Sequence, residues 1–200
     1  FCLKGGPRHC GADGEHMAAD YMVEYLTGLG IPVICEEFPT RGWKFESFSL
    51  YNVTKGQEIT GASACFFSGS VDWEGKFLFI EAWQIDKLAE LPGAGQVCFI
   101  KYVHSVFTHN RIAQELEDLG AAAVIFVSAG LAVDAKVVRN SYLQRIAVAG
   151  VDAHGTYQIL DNPNDTYRLQ IKARSFDQVS RNVIARLGNG EKKGVIGGHY

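Results

Sequence analysis

Residues 180–200, "SRNVIARLGNGEKKGVIGGHY", hold the pattern on which the reading of the fold turns. The run "VSRNVIARL" (179–187) reads as a strand, "GNGEKK" as a polar tight turn and "GVIGGHY" as a second strand, so the spacing predicts two adjacent strands in a hairpin. His199 leaves the second strand behind two glycines, which clear steric room around it. A side chain just past the C-terminal end of a buried strand stands where open α/β sheets place their ligands. His199 is therefore a candidate functional residue.

Working outward, residues 13–30, "DGEHMAADYMVEYLTGLG", carry apolar side chains at Met17, Ala18, Tyr21, Met22, Tyr25, Leu26 and Leu29, the recurrence of one helix face. Asp13 is placed to cap this helix, Glu15 suits its first turn and Gly30 its stop. "IPVICEEF" (31–38) reads as a strand, and "PTRGWKFESFSLYNVT" as a turn followed by a second extended segment. From about Gly56 the texture changes to short strands punctuated by Gly, Asp and Pro. "GKFLFIEA" (75–82), "GQVCFIKY" (95–102), "AAAVIFVSAG" (121–130) and "QRIAVAGVDA" (144–153) are compact apolar runs that read as buried strands. Thr108 to Gly120 is a predicted helix with a hydroxyl cap, Asp152 to Leu160 a short helix behind an aspartate cap, and "TYRLQIKARS" (166–175) a half-exposed alternating strand. The expected class is α/β.

A net charge of -3, with 19 basic and 22 acidic residues scattered along the chain, points to neither a nucleic-acid face nor an anionic-membrane patch. No apolar run approaches the roughly 18 residues that span a bilayer. Five cysteines (Cys2, Cys10, Cys35, Cys65, Cys98) without a CxxC suggest neither a zinc knuckle nor a complete disulfide framework, and lean toward a reducing compartment. The compartment otherwise stays open: the N-terminus has neither an initiating Met nor a signal-peptide layout, and the expectation is that the natural start is missing.

Other motifs read as scaffolding. "GLG" (28–30) and "GAG" (93–95) lack the third glycine of a dinucleotide fingerprint and suit caps and turns. His104 and His109 are five residues apart, about 140° around a helix, and cannot chelate from one face. His9, His16 and His154 stand alone. "FSGS" (67–70) and "VSAG" (127–130) are not nucleophile elbows, nothing selects a cysteine nucleophile, and no catalytic residue is assigned.

The block 180–200 resembles the segment of the M28 zinc aminopeptidases, related to aminopeptidases Y and S, in which "NVIA" precedes a Gly-His-Tyr-Asp motif. The helix "EHMAADYMVEYLTGLG" with "IPVICEEF" resembles that family's opening helix and strand. Residues of about 56–165 resemble the protease-associated (PA) domain that many M28 enzymes carry as an insertion, through "GKFLFIEA", "GQVCFIKY", "ELEDLGAAAVIFVSAG" and "RIAVAGVDAHGTYQIL". The resemblance implies a peptidase lobe made by residues 1–55 and 166–200, with a β-rich PA-like domain inserted at 56–165. It implies that the parent protein hydrolyses N-terminal residues from peptides with two zinc ions, that His199 is a zinc ligand, and that an aspartate should follow Tyr200 to bridge the metals.

The family's other ligands and its general base lie further downstream, so the 200-residue chain by itself is expected to bind no catalytic zinc and to be inactive. An incomplete lobe would expose apolar surface and favour self-association. Two alternatives stand beside this reading. One is a noncatalytic PA-type protein-binding module from a metal-free, peptidase-like parent, as in transferrin-receptor-like proteins. The other is an unrelated α/β domain with a chance "GGHY".

Overall fold

The computed structural model describes residues 10–101, 106–128, 145–188 and 190. In chain order the elements are α1 (Asp13–Gly28), β1 (Val33–Asn52), β2 (Gln57–Glu58), β3 (Ala62–Ala64), β4 (Val71–Gly75), β5 (Leu78–Ile80), a 3-10 helix (Ala82–Glu90), β6 (Val97–Ile100), α2 (Val106–Asp118), β7 (Ala123–Val127), β8 (Ala147–Val151), α3 (Ala153–Leu160) and β9 (Tyr167–Ala185). They form two sheets, ordered β2-β1-β9-β4 and β3-β8-β7-β6-β5, which is the expected α/β class. The chain divides into two compact units, one bounded by Phe1–Gly42 and Ser175–Tyr200, the other by Trp43–Arg174. The division falls inside β1 and β9, so each unit contains a part of both strands.

In the unit Trp43–Arg174, β5, β6, β7 and β8 run parallel, with Phe79 opposite Phe99, Phe99 opposite Ile125 and Ile125 opposite Ala149. β3 closes the edge antiparallel to β8, Ser63 facing Gly150. The strands are apolar on both faces because both faces are covered. Cys98, Ile100, Val124, Phe126 and Val148 point toward the 3-10 helix and α2, meeting Ile85, Leu88, Ile112 and Leu116. Val97, Phe99, Ile125 and Ala149 point the other way and meet Leu50, Tyr167, Leu169 and Ile171 of the second sheet. Stacked aromatics bind these layers, with Phe77 4.4 Å from Tyr167 and 6.0 Å from Phe99, centroid to centroid.

β9 alternates as the sequence implies over its first half, with Tyr167, Leu169, Ile171 and Ala173 buried. Beyond that the phase slips by one, and Ser180 is the next fully buried position. A one-residue phase change of this kind is what a bulge produces, and it lies where the chain passes from one unit to the other. The strands "TYRLQIKARS" and "VSRNVIARL" are thus one continuous strand rather than two. Its expected hairpin partner, "GVIGGHY", lies outside the described residues.

β1 shows the same correction. The turn expected at "PTRG" does not form, and one strand runs from Val33 to Asn52. Backbone bonds from Arg186 to Pro32 and from Val53 to Thr166 mark the two ends of its antiparallel partnership with β9. β2 pairs only with Tyr51 and Asn52, so among the described residues Pro39 sits on a strand with one neighbour, where a missing N–H is tolerated. Gly42 lets the strand pass under Phe176, since a Cβ there would lie 2.6 Å from the ring.

Two helix starts also differ from expectation. α1 is preceded by Ala12 in extended conformation with no side-chain cap, so Asp13 is a first-turn residue. α2 begins at Val106, which places Thr108 inside the helix. The cap at α3 forms as expected: Asp152 Oδ1 accepts the Gly155 N–H at 2.9 Å. Among the described residues no helix is long and apolar enough to cross a membrane.

Candidate functional site

His199 lies outside the described residues, so its surroundings form no part of the structure. The structure does describe β9, which precedes it in sequence, and what holds that strand. α1 presents Gly14, Glu15, Ala18 and Ala19 as its buried face, and the small side chains allow close approach. Glu15 is the polar centre of this contact. Its Oε1 accepts the Ser180 hydroxyl at 2.6 Å and its Oε2 accepts the Gly11 N–H. A carboxylate taken out of water needs such donors, because an unpaired buried charge costs several kcal/mol.

One residue along β9, Arg181 donates to the His16 carbonyl at 2.9 Å and pairs with Asp20. The helix "EHMAAD" and the strand "SRNVIA", 165 residues apart in sequence, are therefore clamped together at two successive strand positions. Sequence reading had assigned Glu15 only to a helix first turn. The only signal for its partnership was its place on the helix face shared with Gly14, Ala18 and Ala19, which becomes informative only once the facing strand is known.

The other histidines, serines and cysteines that the sequence raised are placed as follows. The His16 side chain is partly exposed, His154 is exposed on α3, and His109 stacks on Phe126 with ring centroids 4.2 Å apart. His9 and His104 are outside the described residues. Ser68 donates its hydroxyl to the Gly69 carbonyl and accepts the Val148 N–H at 2.8 Å, which makes it a strap between a loop and β8. Burial pushes the Cys65 and Cys98 thiols up to about 12, a setting that keeps them protonated and unreactive. Cys10 and Cys35 are free thiols, Cys35 exposed, and Cys2 is outside the described residues. Gly30 and Gly95 have positive φ in turns, which accounts for "GLG" and "GAG". Among the described residues no three His, Cys, Asp or Glu side chains are grouped so as to hold a metal ion.

A strained feature lies in the other unit. Phe67 has φ of 61°, a left-handed conformation that a bulky side chain rarely adopts. Its ring and that of Phe66 flank Trp43, whose indole N–H donates to the Ser68 carbonyl at 2.9 Å. This packing holds the strained residue in place.

No protein-family model and no curated protein matches the chain. Solved structures do. An aminopeptidase from Aneurinibacillus sp. strain AM-1 superposes with a TM-score of 0.67 at 17% identity, over 95% of this chain and 47% of that one. A zinc aminopeptidase from Bacillus subtilis gives 0.65 at 18% identity, over 96% and 45%. A peptidase M28 precursor from Shewanella amazonensis SB2B gives 0.66 at 18%, over 92% and 47%. The chain has the fold of the matching part of these M28-type zinc aminopeptidases, and it spans about half their length.

Proposed function

We propose that this chain is part of an M28-type zinc aminopeptidase, a hydrolase that removes N-terminal residues from peptides. The observation that carries the reading is the clamp of Glu15, Ser180 and Arg181. It joins the two segments that resemble the family's opening helix and its metal-approach strand, inside a fold matched along more than nine-tenths of the chain. In this reading residues 1–55 and 166–200 are the peptidase part, and the PA-like domain at about 56–165, which falls within the unit Trp43–Arg174, shapes substrate access or contacts other proteins. His199 is a zinc ligand.

The described residues supply no zinc donor set, so no catalytic step is assigned to them. Their part is positional: Glu15, Ser180 and Arg181 hold β9 against α1. On the resemblance, the family's other zinc ligands lie further along than Tyr200, so this reading expects residues 1–200 alone to be inactive. The test is hydrolysis of aminoacyl 4-nitroanilides by the product of the whole reading frame and by residues 1–200. The reading expects activity in the former, abolished by a chelator, restored by zinc and lost in His199→Ala, with none in the latter. Chelator-insensitive activity, or full activity in His199→Ala, contradicts it.

A further inference from the structure

The chain holds two Asn-x-Thr triplets, Asn52-Val53-Thr54 and Asn164-Asp165-Thr166, the pattern at which an asparagine accepts an N-linked oligosaccharide. The fold brings them against each other where β1 ends and β9 begins, inside the unit Trp43–Arg174. Asn52 is 2% exposed; its Nδ2 donates to Asp165 Oδ2 at 2.8 Å and its Oδ1 accepts the Lys55 N–H at 3.0 Å. Thr54 Oγ1 accepts the Thr166 N–H at 2.9 Å, and the Val53 N–H donates to the Thr166 carbonyl at 2.8 Å. Asn52, Thr54 and Asp165 thus serve to join the two strands.

Two polar side chains of this joint take no part in it. Asn164 is exposed at the corner of a turn that the Asp165 N–H closes on the Asn162 carbonyl at 3.2 Å, with Pro163 at the preceding corner. Neither its carboxamide nor the Thr166 hydroxyl enters a hydrogen bond among the described residues. These are the two groups that an N-glycan acceptor requires. We propose that Asn164 is an acceptor for an N-linked oligosaccharide and that Asn52 is closed to one. In the transfer the Asn164 amide nitrogen bonds to C1 of the sugar and gives up one proton, while the C1–O bond to a lipid diphosphate donor breaks and the diphosphate leaves with the bonding pair. An oligosaccharide on the turn corner stays in water. On Asn52 it would break both hydrogen bonds and force a buried position open. The cysteine pattern leans toward a reducing compartment, but Cys65 and Cys98 are enclosed in the core and do not obstruct passage through an oxidising one. The proposal is independent of the peptidase reading.

The whole reading-frame product, sent through the secretory pathway of yeast behind a secretion leader, tests this. Digestion with peptide N-glycosidase in heavy-oxygen water turns each glycosylated asparagine into a labelled aspartate that mass spectrometry locates. The secreted protein should carry the label at Asn164 and none at Asn52, and its gel mobility should rise on digestion. Asn164→Gln and Thr166→Ala should each abolish that shift, whereas Thr166→Ser, which keeps the hydroxyl, should retain it. Transfer acts on the emerging chain before it folds, so chains modified at Asn52 belong to the pool that the cell retains. An unlabelled Asn164 in both the secreted and the retained protein overturns the proposal, and so does secreted, folded protein labelled at Asn52.

Discussion

Ser180 is the residue whose removal reads out the clamp most cleanly. Among the described residues its hydroxyl is one of two donors to the buried Glu15 carboxylate. Ser180→Ala should cost about 1–3 kcal/mol in urea unfolding, the penalty of leaving a buried charged acceptor short of a donor. Ser180→Thr, which keeps the hydroxyl, should recover part of that loss. The buried thiols make a second residue-scale prediction. Cys65 and Cys98 are raised to about 12 by burial, so the folded state keeps protons that the unfolded state releases above its ordinary thiol pKa. Their contribution to stability is complete below that value. It is lost at about 1.4 kcal/mol per pH unit for each thiol as pH climbs toward 12. At pH 8 the exposed Cys35 should react with iodoacetamide while Cys65 and Cys98 do not. Reaction of all three at one rate would contradict the burial assigned to them.

Among the elements, α3 tests local capping. Asp152 accepts the Gly155 N–H and closes the first turn, so Asp152→Ala should cost about 0.5–2 kcal/mol. Gly155→Ala should cost at least as much, since its Cβ would stand 2.5 Å from the Thr60 carbonyl oxygen. Both are measured by denaturant unfolding. α3 was legible in the sequence because everything that specifies it is local: a capping aspartate followed by an apolar recurrence. The short buried strands were legible for a related reason, each being an apolar run bounded by turn residues. β1 and β9 were not read as single strands, because "PTRG" is a turn signal and the phase slip after Ala173 breaks the alternation. Pairing between the two strands overrides both signals. The apolar face of α1 was visible as a stripe, but a stripe does not say which surface covers it; the small residues Ala18 and Ala19 beside Glu15 decided the buried side.

At the scale of the whole molecule, the two units stand on different kinds of interaction. The unit Trp43–Arg174 has a three-layer core, and Phe99→Ala at its centre should cost about 3–5 kcal/mol in unfolding free energy. The described part of the other unit relies on small buried side chains and the polar clamp, and leaves the tyrosine stripe of α1 outside. The α/β class and the likeness to M28 peptidases were readable from the order of the segments, and the match to solved structures is of fold. The clamp was not readable, because its partners are 165 residues apart and each is ordinary in its local setting. His199 was singled out by its place after two glycines, and its role remains the centre of the proposal. Anomalous scattering at the zinc edge, from crystals of the whole reading-frame product grown with zinc, tests that role most directly. The account predicts a metal peak about 2.0–2.1 Å from an imidazole nitrogen of His199. A zinc site built without His199, or His199 remote from every metal peak, would contradict it.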